Sequence, residues 1–432
     1  MSTSPTTPAA LAVGDVIALD IGPVAHGGFC VARHEGRVVF VRHALPGERV
    51  HAQVTQAREG QRFVRADCIE VLDPSPHRVA APCRYAAPGL CGGCDFQHAA
   101  LPYQRELKSA VVREQFSRLA ALDVEVEVEP LSGDDTGLGW RTRVEFAVDE
   151  TGRAGLRGSR SHEVVPVDSC LIADPRVLAT GVLDQDWSGE LAVDVAAPSQ
   201  GDTVVVPVPS GESDTPVVTE RVAAQSFSGT FEVSARGFWQ VHPAAAGTFV
   251  DMVNQMLDPQ PGETALDLYA GVGLFAAALA ERVGESGKVI AVESDSEAVA
   301  SAAGNLAAYP SVVVVRGRVD DAFGVQRAQR SGPARSRAPR SRKLRRHPLL
   351  PLRADVVVLD PPRTGAGRDV AAQVAALGAR AIAYVACDPS ALARDTAFLA
   401  QAGYRLAALR AFDAFPMTHH VECIALFEKG GA

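Results

Sequence analysis

The chain has 432 residues, with 42 Lys and Arg against 51 Asp and Glu, for a formal net charge of −9. At about 100–200 residues per domain this length predicts two to four domains, each able to bury its own core. Apolar residues at 47% and charged residues at 22% exclude a wholly disordered or fibrous chain, and no apolar run approaches the ~18 residues of a membrane helix. The first eleven residues, MSTSPTTPAAL, read as a disordered tail without the basic and apolar regions of a secretory leader, so a cytoplasmic location is expected.

In chain order, residues 12–72 carry short β-rich runs (DVIALDI, GFCVARHE, RVVFVRHAL, RVHAQVTQ, FVRADCIEVL) separated by turns. Five such strands in about 60 residues predict an OB-like β-barrel, an architecture that often binds oligonucleotides. Residues 73–235 open with Cys-containing loops and a helix near LPYQRELKSAVVREQFSRLAAL, then continue in strand-like segments, which predicts a central α+β region. Residues 236–432 alternate apolar strands with helices: ALDLY, LFAAALAERV, KVIAVE, SEAVASAAGNLAA, SVVVVRG, ADVVVLD, RDVAAQVAALG and AIAYVAC, before a final β pair. This pattern predicts a C-terminal α/β doubly wound, Rossmann-like sheet covered on both faces. It is interrupted at 327–353 by nine Arg, one Lys and no acid, punctuated by Ser, Pro and Gly. Such a run reads as a solvated insertion, with a phosphate-neutralising tether as its functional alternative.

The strand ALDLY runs into Ala270-Gly271-Val272-Gly273, which opens a helix. Glycines there permit a tight turn, and the helix N-terminus favours negative ligand groups. Twenty residues beyond Gly273, Glu293 ends the next strand, where a carboxylate suits ribose hydroxyls. This pattern fits NAD as well as S-adenosylmethionine. Two later strands end on the same sheet edge in Asp360-Pro361-Pro362-Arg363 and in Cys387-Asp388-Pro389. A dehydrogenase has no evident use for either, whereas amino- and base-methylating enzymes carry a D/N-P-P element at this position.

Eight Cys in a cytoplasmic chain suggest metal binding or catalysis before disulfides. Cys83, Cys91 and Cys94, the last two in C-G-G-C, together with distant Cys170 supply four thiolates, which suit zinc and an iron–sulfur cluster equally. Cys30, Cys68 and Cys423 read as buried small hydrophobes.

Taken together, ALPGE at 44–48, C-G-G-C, F-W-Q-V-H at 238–242, DLYAGVG, VES, DPPR, ACDPS and HHVEC resemble the S-adenosylmethionine-dependent uracil-C5 RNA methyltransferases that carry an N-terminal TRAM barrel. The resemblance implies that Cys387 is the nucleophile that adds to C6 of uracil and that Glu422 removes the C5 proton. It places Gln240, Tyr269, Gly271, Gly273 and Glu293 on the cofactor, with Asp360 in the shared pocket. It favours a 4Fe–4S cluster on Cys83, Cys91, Cys94 and Cys170, and a monomer acting on ribosomal or transfer RNA away from membranes. Phe238, Trp239, Arg141 and Arg143 are candidates for base stacking and phosphate contacts. His242 and Asp388 stand where the family commonly has Asn, and Leu274 replaces a residue that is often polar. The alternatives are an RNA cytosine-C5 methyltransferase, although Arg363 stands where those enzymes usually place a second Cys, and a non-catalytic RNA-binding iron–sulfur protein.

Overall fold

The computed structural model describes residues 11–58, 60–209, 215–325 and 345–430. The expected tail up to residue 10 and the stretch 327–344 of the basic insertion lie outside the described residues.

Six strands make the N-terminal barrel: β1 (Val16–Asp20), β2 (Val24–Ala25), β3 (Phe29–His34), β4 (Arg37–Arg42), β5 (Arg49–Gln56) and β6 (Phe63–Asp73), in the order β1-β5-β6-β4-β3-β2. Alternation sets its inside: β5 buries Val50, Ala52 and Val54 and turns the residues between them outward. The two ends of the sheet meet where Gly22 N–H donates to Val31 O at 2.8 Å and Val31 N–H to Pro23 O at 2.9 Å. The short β2 makes a hairpin with β3 that the sequence pattern did not reveal. Glu48 of the ALPGE turn is buried and saturated: it accepts from Leu45 N at 2.7 Å, Ser75 N at 3.1 Å and Arg78 Nε at 2.5 Å. The barrel is thereby joined to the chain that leaves it, because an unpaired carboxylate there would bear its full desolvation penalty.

The middle of the chain supplies α1 (Leu101–Ala120), β7 (Val128–Pro130), β8 (Arg143–Val148), β9 (Ala154–Arg157), β10 (Val164–Pro166), α2 (Pro175–Leu178), β11 (Ala192–Ala196), β12 (Val204–Val208), β13 (Val217–Ala223) and β14 (Ser228–Ser234). An antiparallel sheet β10-β9-β8-β11-β12 and a separate β13–β14 hairpin result. The segment from α1 to β7 does something else. Val112 and Phe116 of α1 and Val128 of β7 join the core of the C-terminal sheet, and β7 pairs parallel with the strand Tyr404–Asp413, the last but one in the chain. Lys108 of α1 and Asp413 form an ion pair at 2.5 Å with both side chains fully buried, and Lys108 Nζ also donates to Phe415 O at 3.0 Å. Breaking such a pair on one side leaves an uncompensated charge, at a cost of about 3–5 kcal/mol. Lys108 therefore holds α1 firmly to the start of the 413–422 connection.

The C-terminal part runs α3 (Ala245–Leu257), β15 (Thr264–Leu268), α4 (Leu274–Val283), β16 (Lys288–Glu293), α5 (Ser296–Asn305), β17 (Val312–Arg316), α6 (Val319–Ala322), β18 (Val356–Leu359), α7 (Gly367–Ala376), β19 (Ala381–Ala386), α8 (Pro389–Gln401), β20 (Tyr404–Asp413) and β21 (Glu422–Lys429). Its sheet has the order β17-β16-β15-β18-β19-β21-β20-β7, parallel from β17 to β19, with β21 antiparallel to both neighbours. This is the expected doubly wound sheet. VVVL of β18 and AIAYVA of β19 are buried throughout, as strands covered on both faces must be. The chain leaves β15 in one direction for β16 and β17 and returns on its other side as β18, so the carboxyl ends of β15 and β18 flank the switch point where such sheets bind ligands. Asp295 caps α5 and Asp388 caps α8, the latter followed by Pro389 at the first helical position.

Candidate active site

Each predicted group on the sheet edge is placed by a strand end. After β15 the backbone turns sharply: Tyr269 has φ +68°, Gly271 +54° and Gly273 +95°. A Cβ on Gly273 would stand 2.8 Å from Leu306, whereas one on Gly271 would meet nothing within 4 Å. Gly273 is therefore needed for packing, and Gly271 leaves bare backbone facing open space. Tyr269 in the left-handed region is the kind of strain that sites retain; it is held because Tyr269 N and Ala270 N both donate to Val292 O at 3.0 Å. Glu293, ending β16, accepts from Gly271 N at 2.9 Å and from Asp295 N at 2.7 Å. One carboxylate thus links the glycine turn to the next strand.

Tyr269 and Glu293 line a cleft of about 450 Å³ with Arg318, Asp320, Pro362 and Thr364, a size suited to a nucleoside ligand. A second cleft of about 350 Å³ is lined by Cys387, Asp388 and Arg363 from the sheet edge, by His419 and His420, and by His26, Phe29 and Arg42 from the barrel. The D-P-P-R-T turn after β18 separates the two, because Pro362 and Thr364 face the first and Arg363 faces the second. Cys387 and Glu422 each lie one residue beyond the last register pair of β19 and β21, Ala386 with Cys423. The nucleophile and base candidates, 35 residues apart in sequence, therefore sit side by side at one ladder end.

The electrostatics agree with that proximity. Burial pushes the Cys387 thiol up to about 11, with Glu422 and Asp360 adding to the rise and Arg363 opposing it. Glu422, 4% exposed, is held well above the usual carboxylate range, first by burial and then by Asp360, again with Arg363 opposing. Burial raises Asp360 to about 7. Carboxyl groups shifted this far by desolvation, next to a thiol in a cleft, are an arrangement suited to proton transfer. Arg363 is the cation common to Cys387 and Glu422, and it belongs to the D-P-P-R motif.

Other expectations meet a different outcome. Gln240 lines a separate cleft of about 390 Å³ with Thr142, Arg176 and Glu220, and is not brought together with Tyr269 and Glu293. Trp239 is not a stacking platform: it is 7% exposed and packs on Phe231 with ring centroids 5.6 Å apart, while Phe238 is 73% exposed. Arg143 is not free for phosphate either. Its guanidinium donates to the carbonyls of Ser234, Ala235 and Gly237 and pairs with Glu220 at 3.1 Å, and Arg141 Nε donates to Arg143 O. Cys30, Cys68 and Cys423 are buried as expected, with Cys30 Sγ 3.3 Å from Ala44 O. His242 is buried against Trp140, and Leu274 is the buried first residue of α4.

Cys83, Cys91, Cys94 and Cys170 do converge. They line one small apolar cavity with Leu156, Val167 and Ile172. Burial raises the thiols of Cys91, Cys94 and Cys170, and the mutual charges of the cluster raise them further. Four thiols on one cavity fit a four-thiolate centre in number and chemistry. Among the described residues, no three His, Cys, Asp or Glu side chains stand in metal-ligating geometry.

Comparison with known proteins decides the family. A family model for tRNA (uracil-5-)-methyltransferases matches residues 182–430, and one for the TRAM domain matches residues 11–69. The chain belongs to the tRNA (uracil-5-)-methyltransferase family. An uncharacterized RNA methyltransferase of Streptomyces avermitilis is 47% identical, with 96% of this chain and 99% of the relative covered. The 23S rRNA (uracil(1939)-C(5))-methyltransferase RlmD of Shewanella amazonensis is 33% identical over 95% of each chain. Among solved structures, the Pyrococcus abyssi tRNA (uracil-54, C5)-methyltransferase with S-adenosyl-L-homocysteine has a TM-score of 0.64 at 20% identity, covering 95% of this chain and 99% of that one; it shares the fold. As a member of this family the chain is an S-adenosylmethionine-dependent RNA methyltransferase with an N-terminal TRAM domain. No helix among the described residues is long and apolar enough to cross a membrane.

The groups that sequence reasoning missed lie across domain boundaries. His26 comes from the TRAM barrel, and Asp95 follows the last Cys of C-G-G-C. His419 lies in the final hairpin, within the HHVEC motif. Asp95 accepts from His419 Nδ1 at 2.6 Å and from His419 N at 3.1 Å, while Asp95 N and Phe96 N donate to Met417 O. The cysteine loop is thereby fastened to the strand connection that leads into Glu422.

Proposed function

We propose that this enzyme methylates C5 of a uridine in structured RNA, ribosomal RNA ahead of transfer RNA, through a covalent bond between Cys387 and C6 of the base. The observation that carries the reading is the placement of Cys387 and buried Glu422 at one ladder end, with Cys387 lining a cleft that shares the 362–364 turn with the cleft of Tyr269 and Glu293. The preference for ribosomal RNA is supported by the 33% identity with an RlmD along nearly the whole of both chains.

The residues divide the work as follows. S-adenosylmethionine, held by the Gly271–Gly273 turn, Tyr269 and Glu293, supplies the methyl group. The target base is turned out of its stack into the cleft, because C6 is otherwise inaccessible. Cys387 Sγ then bonds to C6, which turns C5 into a nucleophile. After C5 is methylated, Glu422 takes the proton it still carries, the C6–S bond breaks, and the ring double bond returns with Cys387 released. Arg363 stabilises both anionic groups, and buried Asp360 is proposed to hydrogen-bond within the base and cofactor pocket.

The test is to incubate RNA from cells lacking the enzyme with donor labelled in the methyl group. Label is expected in 5-methyluridine of ribosomal RNA. Label confined to transfer RNA would move the substrate assignment, and label in 5-methylcytidine would overturn the reading.

Cys83, Cys91, Cys94 and Cys170 are proposed to hold a 4Fe–4S cluster in a structural role, since methyl transfer moves no net electrons. Protein purified without oxygen is expected to carry about four irons and four sulfides per chain; one zinc without iron would replace the cluster by a structural zinc site.

A further inference from the structure

The TRAM hairpin does more than lie near the cleft. His26, between β2 and β3, places Nε2 3.1 Å from Asp388 Oδ2, and Asp388 directly follows Cys387. The other oxygen of Asp388 accepts Ala391 N at 2.8 Å and caps α8. The hairpin is seated at contact distance: Gly28 has φ +78°, and a Cβ there would come within 2.9 Å of His419 Cβ and 3.0 Å of Asp95. No longer side chain fits without moving the hairpin away from the active centre.

A carboxylate beside a thiol disfavours the thiolate, and a cation paired with that carboxylate removes the effect. We infer that His26 is a positioning residue of the active centre: its imidazolium fixes and neutralises Asp388 beside the nucleophile, so the RNA-binding barrel also sets the readiness of Cys387. The inference rests on the reading of Cys387 as nucleophile.

The surrounding charges agree. The hydrogen bond to Asp388 raises His26 above its usual value; burial opposes this, and Asp388 and Glu114 add to it through space. Burial pushes Asp388 up, but the His26 hydrogen bond and the Ala391 cap bring it below the usual carboxylate range. Asp388 also adds to the rise of Cys387, after burial, Glu422 and Asp360, with Arg363 opposing. The other charged or titratable groups lining this cleft are Arg42, Asp95, Arg160, His419 and His420, and they are common to all the variants below.

The test is a double-mutant cycle on the full chain, using His26→Ala, Asp388→Asn and the pair. Asn keeps the cap while removing the charge. Alkylation of the Cys387 peptide by iodoacetamide, followed by mass spectrometry, reports the thiolate without RNA or cofactor. At pH 6.5, the ordinary imidazole value above which His26 is raised, His26→Ala is expected to slow alkylation about threefold, Asp388→Asn to speed it, and His26→Ala to change it less than about 1.5-fold in the Asn background. Methylation kcat should follow the same cycle, with KM for RNA unchanged within about twofold. An equal His26→Ala effect in both backgrounds, or an effect on KM alone, would overturn the inference. Methylation by a Cys387→Ala variant would instead defeat the nucleophile reading and leave the alkylation cycle as measured.

Discussion

Cys387→Ala is expected to lower methyl transfer by about 10⁴-fold or more, the scale on which covalent catalysts lose activity when their nucleophile is removed. The reason is specific to C5 of uracil, which becomes nucleophilic only when electron density arrives through a bond at C6. No other thiol stands at that place: Cys423 is fully buried and belongs to the adjacent register pair. RNA binding and cofactor binding should persist, since Cys387 is a small part of either surface. The pH dependence follows in sign. The attacking species is the thiolate, and burial, Glu422 and Asp360 hold the thiol near 11, so its reactive fraction grows about tenfold per pH unit through the neutral range. Turnover is therefore expected to rise with pH between about 6 and 9. A flat profile with a slow chemical step would mean that Cys387 reacts from another state, and full turnover by the Ala variant would end the mechanism.

Glu422→Gln is expected to slow turnover by about 10²–10⁴-fold and, unlike the Cys387 variant, to trap protein on RNA. The amide has nearly the same shape but cannot accept the C5 proton. The methylated base then has no route to eliminate the thiol. Burial, followed by Asp360, holds Glu422 above the ordinary carboxylate range, which strengthens it as a base once it is ionised and places its loss on the acid side of the profile. An RNA-linked band that survives denaturant, requires the donor and is absent from Cys387→Ala is the expected result. A Gln variant that turns over normally would assign the proton to another group.

Much of the C-terminal half was legible because its physics is local. Fully buried parallel strands must be apolar runs, and VVVL and AIAYVA are such runs. The glycine turn was legible because positive φ selects glycine at 271 and 273. Tyr269 breaks that rule and could not be read as left-handed from its type. Non-local pairing was not legible. β7 is three residues long and joins a strand more than 270 residues away, so neither length nor periodicity marks it. The same holds for His26 and Asp388, whose contact depends on how the barrel docks. Trp239 and Arg143 illustrate the opposite error: residue types that suit RNA were read as ligand groups, but burial against Phe231 and bonds to three carbonyls already occupy them. The four cysteines lay between these cases, since C-G-G-C announces two of them, and only the fold brings Cys83 and Cys170 to the same cavity.

The most direct measurement is peptide mapping of the Glu422→Gln protein after incubation with substrate RNA and methyl-labelled S-adenosylmethionine, followed by nuclease and protease digestion. The account predicts one peptide, containing Cys387, heavier by a methylated uridine nucleotide and carrying the label. A modified residue other than Cys387, or labelled 5-methyluridine released in full with no bonded peptide at any time, would contradict it.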